Sequence, residues 1–454
     1  MLTYELNKAP GVPLYEALYR CLRQSILSSE LAPGDKLPSK RALAAHLEIS
    51  KITVETAYSQ LLAEGYIRSQ EKVGYFVEQV ALPQQIPATQ TFKEEKTEYW
   101  PLDLTANGPA NFPFSVWNRL QREVMQDYGH QLLQPPPNQG YLELRQSIAM
   151  HLAQFRGMQV DPDNVIIGAG TDFLYNLLIQ LLGRERVYGT EEPGYDKIRK
   201  IYTAGGVRCV RVPMDDQGVI NNGLRNVDVL HISPSHHFPT GLVMPMGRRM
   251  ELLKWAQEQD GYIIEDDYDS EFRFHAHPMP ALQTLDRNGR VIYINTFSKT
   301  LAPSIRISYM ILPKGLIEVF YRKLSFYSCT VSAFDQYTLE RFLSRGHFEK
   351  HINRMRRFYK TRRDHVMDVL KSCDWSNVAE IREENAGLHF LLKVNTQLSD
   401  AKLILRFAEA GVHVRTLSSY YSGDVPQEKE RTLVINYSGL QEEELARLTT
   451  VKLE

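Results

Sequence analysis

Cysteine is scarce. Only Cys21, Cys209, Cys329 and Cys373 occur in 454 residues. None has the spacing of a metal knuckle, a CxxC redox pair or a disulfide framework, which fits a reducing compartment. Long apolar runs are missing too. No stretch approaches the roughly 20 residues needed to cross a bilayer, so membrane-spanning helices are excluded. The opening residues MLTYELNKAP carry no basic-then-apolar leader pattern, so the sequence is expected to act in the cytoplasm. No charge excess of either sign appears. The formal net charge is -1, so bulk electrostatics point to neither nucleic acid nor a membrane surface. Internal repeats are also absent. What remains is 43% hydrophobic and 24% charged, an ordinary globular composition, and the length suggests two or three domains.

Three zones follow one another. Residues 1–80 hold short helical patterns and end in strand-like runs. Residues 81–100, ALPQQIPATQTFKEEKTEYW, are polar, contain proline and lack periodicity, as a linker does. From residue 101 to 454, short apolar runs such as NVIIGAG, VDVLHIS, GYIIEDDY and VIYIN alternate with helical segments such as FLYNLLIQLL and MELLKWAQEQ. That alternation predicts an α/β fold with a doubly wound, mainly parallel sheet. A large lobe is expected over about 101–335 and a smaller α+β lobe over about 336–454.

In the first zone, Leu14, Leu18, Leu22 and Ile26 recur at helical spacing. Ser39 is placed to cap a second helix and Ser50 a third, whose inward face is Val54, Ala57 and Leu61. Lys51 and Thr53 are then left outward at its N-terminal end. Two short strands follow, with a turn around Lys72–Gly74. A helix, a tight turn and a helix with small polar and basic residues at its start form a helix-turn-helix, whose second helix enters a major groove N-terminus first. Charge adds little, since residues 1–80 hold nine Lys+Arg and nine Asp+Glu. The run LAPGDKLPSKRALAAHLEISKITVETAYSQLLAEGYIRSQEKVGYFV closely resembles the winged helix-turn-helix of GntR-type bacterial regulators. The resemblance implies DNA contacts at Arg41, Ser50, Lys51, Thr53, Lys72 and Gly74. One departure is Glu55, where a basic residue is often seen.

In the last zone, three pieces form a constellation. In VIIGAGTDFLYNLL a strand ends in Gly-Ala-Gly and a helix begins at Thr171, a setting in which backbone N–H groups can meet a phosphate; Asp172 is awkward beside one. In GYIIEDDYDSEF an apolar run delivers carboxylates to the end of a strand, where α/β sheets bind ligands and a pyridinium nitrogen could find its partner. In NTFSKTLAPSIRI, Lys299 stands at the mouth of a buried strand, where it could form a Schiff base with an aldehyde, while Ser298 and Arg306 could hold a phosphate.

These pieces, with EEPGYD and SPSHHFPTG, resemble the fold-type I aminotransferases that use pyridoxal 5'-phosphate. The resemblance implies an internal aldimine at Lys299, Asp266 at the pyridine nitrogen with Asp267 as its rival, and Tyr268 at the ring hydroxyl. It places Ser298 and Arg306 at the phosphate, Gly170 and Thr171 nearby, and Tyr195 stacked over the ring. Two departures stand out. Phe238 replaces the usual asparagine of Asn-Pro-Thr-Gly, and LVINYSGL lacks the usual carboxylate-binding arginine. Lys197 and Arg415 are the substitute candidates for an effector's anionic group.

As a whole, the chain resembles the MocR/GabR-type bacterial transcription regulators. That implies a DNA-binding regulator that senses pyridoxal phosphate or an amino compound by aldimine exchange at Lys299, in vitamin B6 or amino-acid metabolism. It implies at most partial or slow transamination; a working aminotransferase with an appended DNA-binding domain is the alternative. The implied partners are double-stranded operator DNA, with direct repeats as one arrangement, a small amine or the cofactor, and a second copy in a head-to-tail homodimer. No metal and no membrane is expected.

Overall fold

The computed structural model describes residues 4, 13–79, 100–106, 108, 111–273, 279–383 and 387–453. The expected linker, 81–100, lies outside the described residues apart from its last position. Contacts divide the chain into two units, 1–98 and 99–454.

The first unit contains helices α1 (Leu14–Leu27), α2 (Lys40–His46) and α3 (Lys51–Ala63), then strands β1 (Ile67–Gln70) and β2 (Gly74–Val77). Leu18, Leu22 and Ile26 of α1 pack on Leu43 of α2 and on Val54, Ala57, Tyr58 and Leu61 of α3. The helix starts follow from local chemistry. The Ser39 hydroxyl accepts from the Ala42 N–H at 3.1 Å and the Ser50 hydroxyl from the Thr53 N–H at 3.1 Å, each satisfying a donor the helix leaves unpaired. β1 and β2 pair antiparallel from Ile67–Val77 to Gln70–Gly74. The turn between them places Lys72 at φ 60° and Gly74 at φ 141°.

The second unit is built on an eight-stranded sheet. Its spatial order is Val165–Gly168, Ser308–Ile311, Val291–Thr296, Tyr262–Asp266, Val229–Ile232, Val187–Glu192, Arg208–Asp215 and Gly218–Val219. The pairings from Val291–Thr296 across to Arg208–Asp215 are parallel. Ser308–Ile311 runs antiparallel to both its neighbours. Successive strand residues serve opposite layers. Val165, Ile167, Tyr293 and Tyr309 pack beneath helices Phe114–Tyr128 and Leu142–Arg156, whereas Ile166, Ile292, Ile294 and Met310 pack against helix Thr171–Leu182. Burial on both faces explains why these strands read as continuous apolar runs.

A four-stranded antiparallel sheet of Ala379–Arg382, His389–Val394, Thr432–Asn436 and Arg415–Thr416 forms the smaller lobe. Its core joins Phe390, Leu392 and Ile435 to Tyr359 and Val366 of the 26-residue helix His347–Ser372. The lobes do not divide at one point in the chain. Leu102–Asp103 pairs with Val412–His413, and Leu102 and Leu104 join the small-lobe core. Helix Ala333–Ser344, which straddles the division expected at 335/336, buries Leu339 and Phe342 with Trp117 and Leu144 in the large lobe. Tertiary packing sets this boundary, and no composition shift marks it. Among the described residues no helix is long and apolar enough to cross a membrane, and no cluster of His, Cys, Asp or Glu could hold a metal.

Candidate functional site

The parallel strands end on one side of the sheet. A cavity of about 370 Å³ opens there, closed from the other side by the small lobe. Strand Val187–Glu192 brings Glu191 to it and leads on to Tyr195 and Lys197. Val229–Ile232 brings His231, Tyr262–Asp266 brings Asp266, and Val291–Thr296 leads into Ser298 and Lys299. After Thr296 the chain loops back as the antiparallel strand. Thr296 pairs with Ser308, and Ser308 with Gly168, so the loop must lay Arg306 beside the Gly170 turn. Thr171, Tyr195, Lys197, Asp266, Tyr268, Ser298, Lys299 and Arg306 therefore line one cavity. Arg415 does not. It lies exposed on the short strand Arg415–Thr416, within hydrogen-bonding reach of the Tyr420 hydroxyl.

The two rival carboxylates are separated by the sheet. Asp266 lines the cavity, and its Oδ2 accepts from the Tyr175 hydroxyl at 2.5 Å and stands 3.5 Å from His231 Nε2. Its Oδ1 is buried without a hydrogen-bond partner. A buried acceptor left open in this way fits a ring N–H donor. Asp267 turns beneath the cavity, where it is 1% exposed. It pairs there with Arg156 at 2.9 Å and accepts from the Tyr293 hydroxyl at 2.7 Å.

At the Gly170 turn, a Cβ on residue 170 would fall 2.2 Å from the Arg306 guanidinium, and residue 170 has φ +90°. Glycine is required there so that the guanidinium can lie against the backbone that starts helix Thr171–Leu182. Ser298 is held nearby, its N–H donating to Thr296 Oγ1 at 3.1 Å. This turn has the make-up of an anion cradle: a glycine, a helix N-terminus, a hydroxyl and a forked cation. Asp172, awkward in the sequence, is tied to Lys197 Nζ at 2.8 Å and to Arg306 Nη2 at 3.2 Å.

Burial pushes the Lys299 amine below its usual pKa against the opposing pull of Asp269, which favours the neutral, nucleophilic form. Burial and the nearby acids hold the Tyr268 hydroxyl protonated; it stands 3.4 Å from His236 Nδ1.

Glu191 was not singled out from the sequence. Its Oε2 accepts from the Ser233 N–H at 3.0 Å, its Oε1 has no partner, and burial pushes its carboxyl up to about 8. Because the folded pKa lies above the unfolded one, the neutral carboxyl contributes stability fully below about 4.5, and this is lost as pH rises through about 8. Relative to the wild type, Glu191→Gln should therefore gain on the order of a few kcal/mol between pH 5 and 8 in thermal unfolding. Parallel pH curves for the two proteins would contradict this placement of the carboxyl.

The small lobe supplies Tyr359, Leu388, His389, Asn436 and Ser438, none of which the sequence reading found. Phe238, in the place of the usual asparagine, meets the rings of Tyr195, His389 and Tyr420 at 5.9, 5.1 and 5.2 Å.

In the first unit, Arg41, Ser50, Lys51 and Lys72 are exposed, and Thr53 and Gly74 are partly so. The Ser50 hydroxyl is engaged as the helix cap. Glu55, the departure in α3, is paired with Lys40 at 2.7 Å, so its charge is met within the unit.

Residues 101–451 match the family model Aminotransferase class I and II, and residues 14–77 match Bacterial regulatory proteins, gntR family. The uncharacterized HTH-type transcriptional regulator YdeL of Bacillus subtilis is 38% identical over 98% of this chain and 97% of its own. The HTH-type pyridoxine biosynthesis transcriptional regulator PdxR of Corynebacterium glutamicum is 32% identical, covering 93% and 92%. The probable rhizopine catabolism regulatory protein MocR of Rhizobium meliloti is 31% identical, covering 96% and 92%. Among solved structures, Pyrococcus horikoshii kynurenine aminotransferase superposes with a TM-score of 0.68 at 27% identity, over 78% of this chain and 91% of that one.

Proposed function

From the premise that the chain belongs to the MocR/GabR-type bacterial transcription regulators, a GntR-type head joined to an aminotransferase class I and II domain, we propose a cytoplasmic regulator. It holds pyridoxal phosphate on Lys299 and couples the state of that site to DNA binding. The observation that carries the reading is the convergence of Lys299, Arg306, Ser298 and the partnerless Asp266 oxygen on one cavity.

Pyridoxal phosphate supplies an aldehyde that can pass between a lysine amine and an incoming amine. Lys299 anchors it, and burial keeps the amine ready. Asp266 would offer its partnerless Oδ1 as the acceptor for the ring nitrogen's N–H. Ser298, Arg306, Gly170 and Thr171 would hold the phosphate, Tyr268 would meet the ring hydroxyl, and Tyr195 would cover the ring. Both lobes line the cavity, so an occupant that contacts them differently when closed and open shifts closure by that difference. The effector is the cofactor itself or a small amino compound. Because PdxR is named for pyridoxine biosynthesis, vitamin B6 metabolism is the first pathway to examine. The active form is a head-to-tail homodimer.

In the head, Arg41, Lys51, Thr53 and Lys72, with Ser50 and Gly74 shaping the backbone, meet operator DNA. Lys51→Ala should weaken binding about equally for all sequences and lower the log–log salt slope by about 1, as loss of one phosphate contact does.

The deciding experiment measures binding of the full chain to DNA upstream of its own gene, with and without pyridoxal phosphate and candidate amines. Affinity should change with ligand in the wild type and not in Lys299→Ala. An affinity indifferent to every ligand, or sustained keto-acid production from an amino donor, would overturn the sensor reading.

A further inference from the structure

The cradle at Gly170 already holds an anion, and it belongs to the chain itself. Asp172 is the second residue of helix Thr171–Leu182, where a carboxylate commonly serves the helix dipole. Here it does not cap the helix, whose N-cap Gly170 has no side-chain cap bond. Instead Asp172 Oδ2 reaches outward and is shared between Lys197 Nζ at 2.8 Å and Arg306 Nη2 at 3.2 Å. The same Arg306 nitrogen lies 3.5 Å from the Ala169 carbonyl. Gly170 permits this packing, since any Cβ there would strike the guanidinium. Burial opposes ionisation of Asp172, but the two cations outweigh it and hold its carboxyl below the ordinary range, so the charge is present at neutral pH. A ligand phosphate that takes Arg306 must therefore compete with a carboxylate 134 residues away in sequence.

We infer that Asp172 is an intramolecular competitor for the arginine that receives the cofactor's phosphate, and that Lys197 moderates the competition by drawing the same carboxylate away. The inference rests on the proposed seating of that phosphate at Gly170, Thr171, Ser298 and Arg306. Its consequence is an affinity held below what the cradle could reach. A site that reports supply must not be saturated at every concentration, because occupancy changes only where ligand is comparable to the dissociation constant.

Lys197 is thereby given a role different from an effector contact. As long as Lys197 shares the carboxylate, Arg306 is partly released. Without Lys197, Asp172 belongs to Arg306 alone.

The test uses the full-length protein, titrated with pyridoxal phosphate and, separately, with pyridoxal, which lacks the phosphate. Asp172→Asn should bind pyridoxal phosphate roughly fivefold more tightly, the size of one exposed ion pair, and pyridoxal no differently. Lys197→Ala should bind pyridoxal phosphate more weakly than the wild type by a factor of about two to five, and this effect should vanish in the Asp172→Asn background. Inorganic phosphate should compete better against pyridoxal phosphate in Asp172→Asn than in the wild type. The inference is overturned if Asp172→Asn binds pyridoxal phosphate no more tightly, if it gains equally for pyridoxal, or if Lys197→Ala costs the same in both backgrounds. That last outcome would make Lys197 a direct ligand contact. A wild type that acquires no cofactor absorbance overturns the proposed site and this inference together. Normal absorbance with unchanged affinities overturns this inference alone.

Discussion

Lys299→Ala should lose the visible absorbance that the wild type acquires on incubation with pyridoxal phosphate, and should retain the cofactor on the order of 100-fold less well. The lysine follows a fully buried strand and stands among groups that have no evident use in a hydrated surface turn: Asp266 and Ser298 line the same cavity, and Arg306 returns to it on the loop before the antiparallel strand. Removing the amine takes away the covalent attachment and leaves the polar cradle in place. Residual binding should therefore depend on the ligand's phosphate, and Arg306→Ala added to Lys299→Ala should weaken it further. Arg306→Ala alone should keep the absorbance at saturating cofactor while requiring more cofactor to reach it. An absorbance unchanged in Lys299→Ala would show that the cofactor is held elsewhere. Dialysis followed by a spectrum is sufficient to decide.

Asp266→Asn and Asp267→Asn, neighbours in sequence, should fail in different ways. Asp267 is 1% exposed and faces Arg156, whose side chain is 5% exposed. Removing its charge leaves a buried guanidinium without its counter-ion, which costs about 3–5 kcal/mol. Asp267→Asn should show a fall in thermal midpoint of several degrees or fail to accumulate as folded protein. The paired replacement Arg156→Met with Asp267→Leu should recover much of that loss, since a buried ion pair can often be replaced by apolar groups of similar volume. Asp266 has no such obligation. Its Oδ2 takes one hydroxyl and its Oδ1 is buried without a hydrogen-bond partner. Asp266→Asn should unfold close to the wild-type temperature and bind the cofactor less tightly. Equal thermal losses for both variants would argue that the two carboxylates share one structural role.

Local features were readable because their causes are local. Ser39 and Ser50 cap helices whose first free N–H groups lie three residues on. The alternation of apolar runs and helices announced a buried parallel sheet, and the stretch around Lys299 carried its serine and arginine within eight positions. Choosing between Asp266 and Asp267 was beyond the sequence. Adjacent strand residues face opposite sides, but which side holds the cavity depends on strand order. Asp172 looked misplaced because its partners, Lys197 and Arg306, lie 25 and 134 residues away. Arg415 looked as eligible as Lys197 until its strand placed it outside the cavity. Glu191 gave no signal, because its raised pKa comes from burial and a carboxylate carries no mark of depth in the sequence.

The sequence by itself determined that a winged helix-turn-helix head precedes an α/β domain with a lysine, an arginine and carboxylates at strand ends. Those are matters of periodicity, capping and short motifs, which act over a few residues. The tertiary structure alone decided which carboxylate faces the cavity, which basic groups reach it, that the small lobe closes it with His389, Asn436 and Ser438, and that Asp172 pairs with Arg306. Those depend on strand order and on contacts between distant parts of the chain, and only the assembled sheet brings them within hydrogen-bonding range.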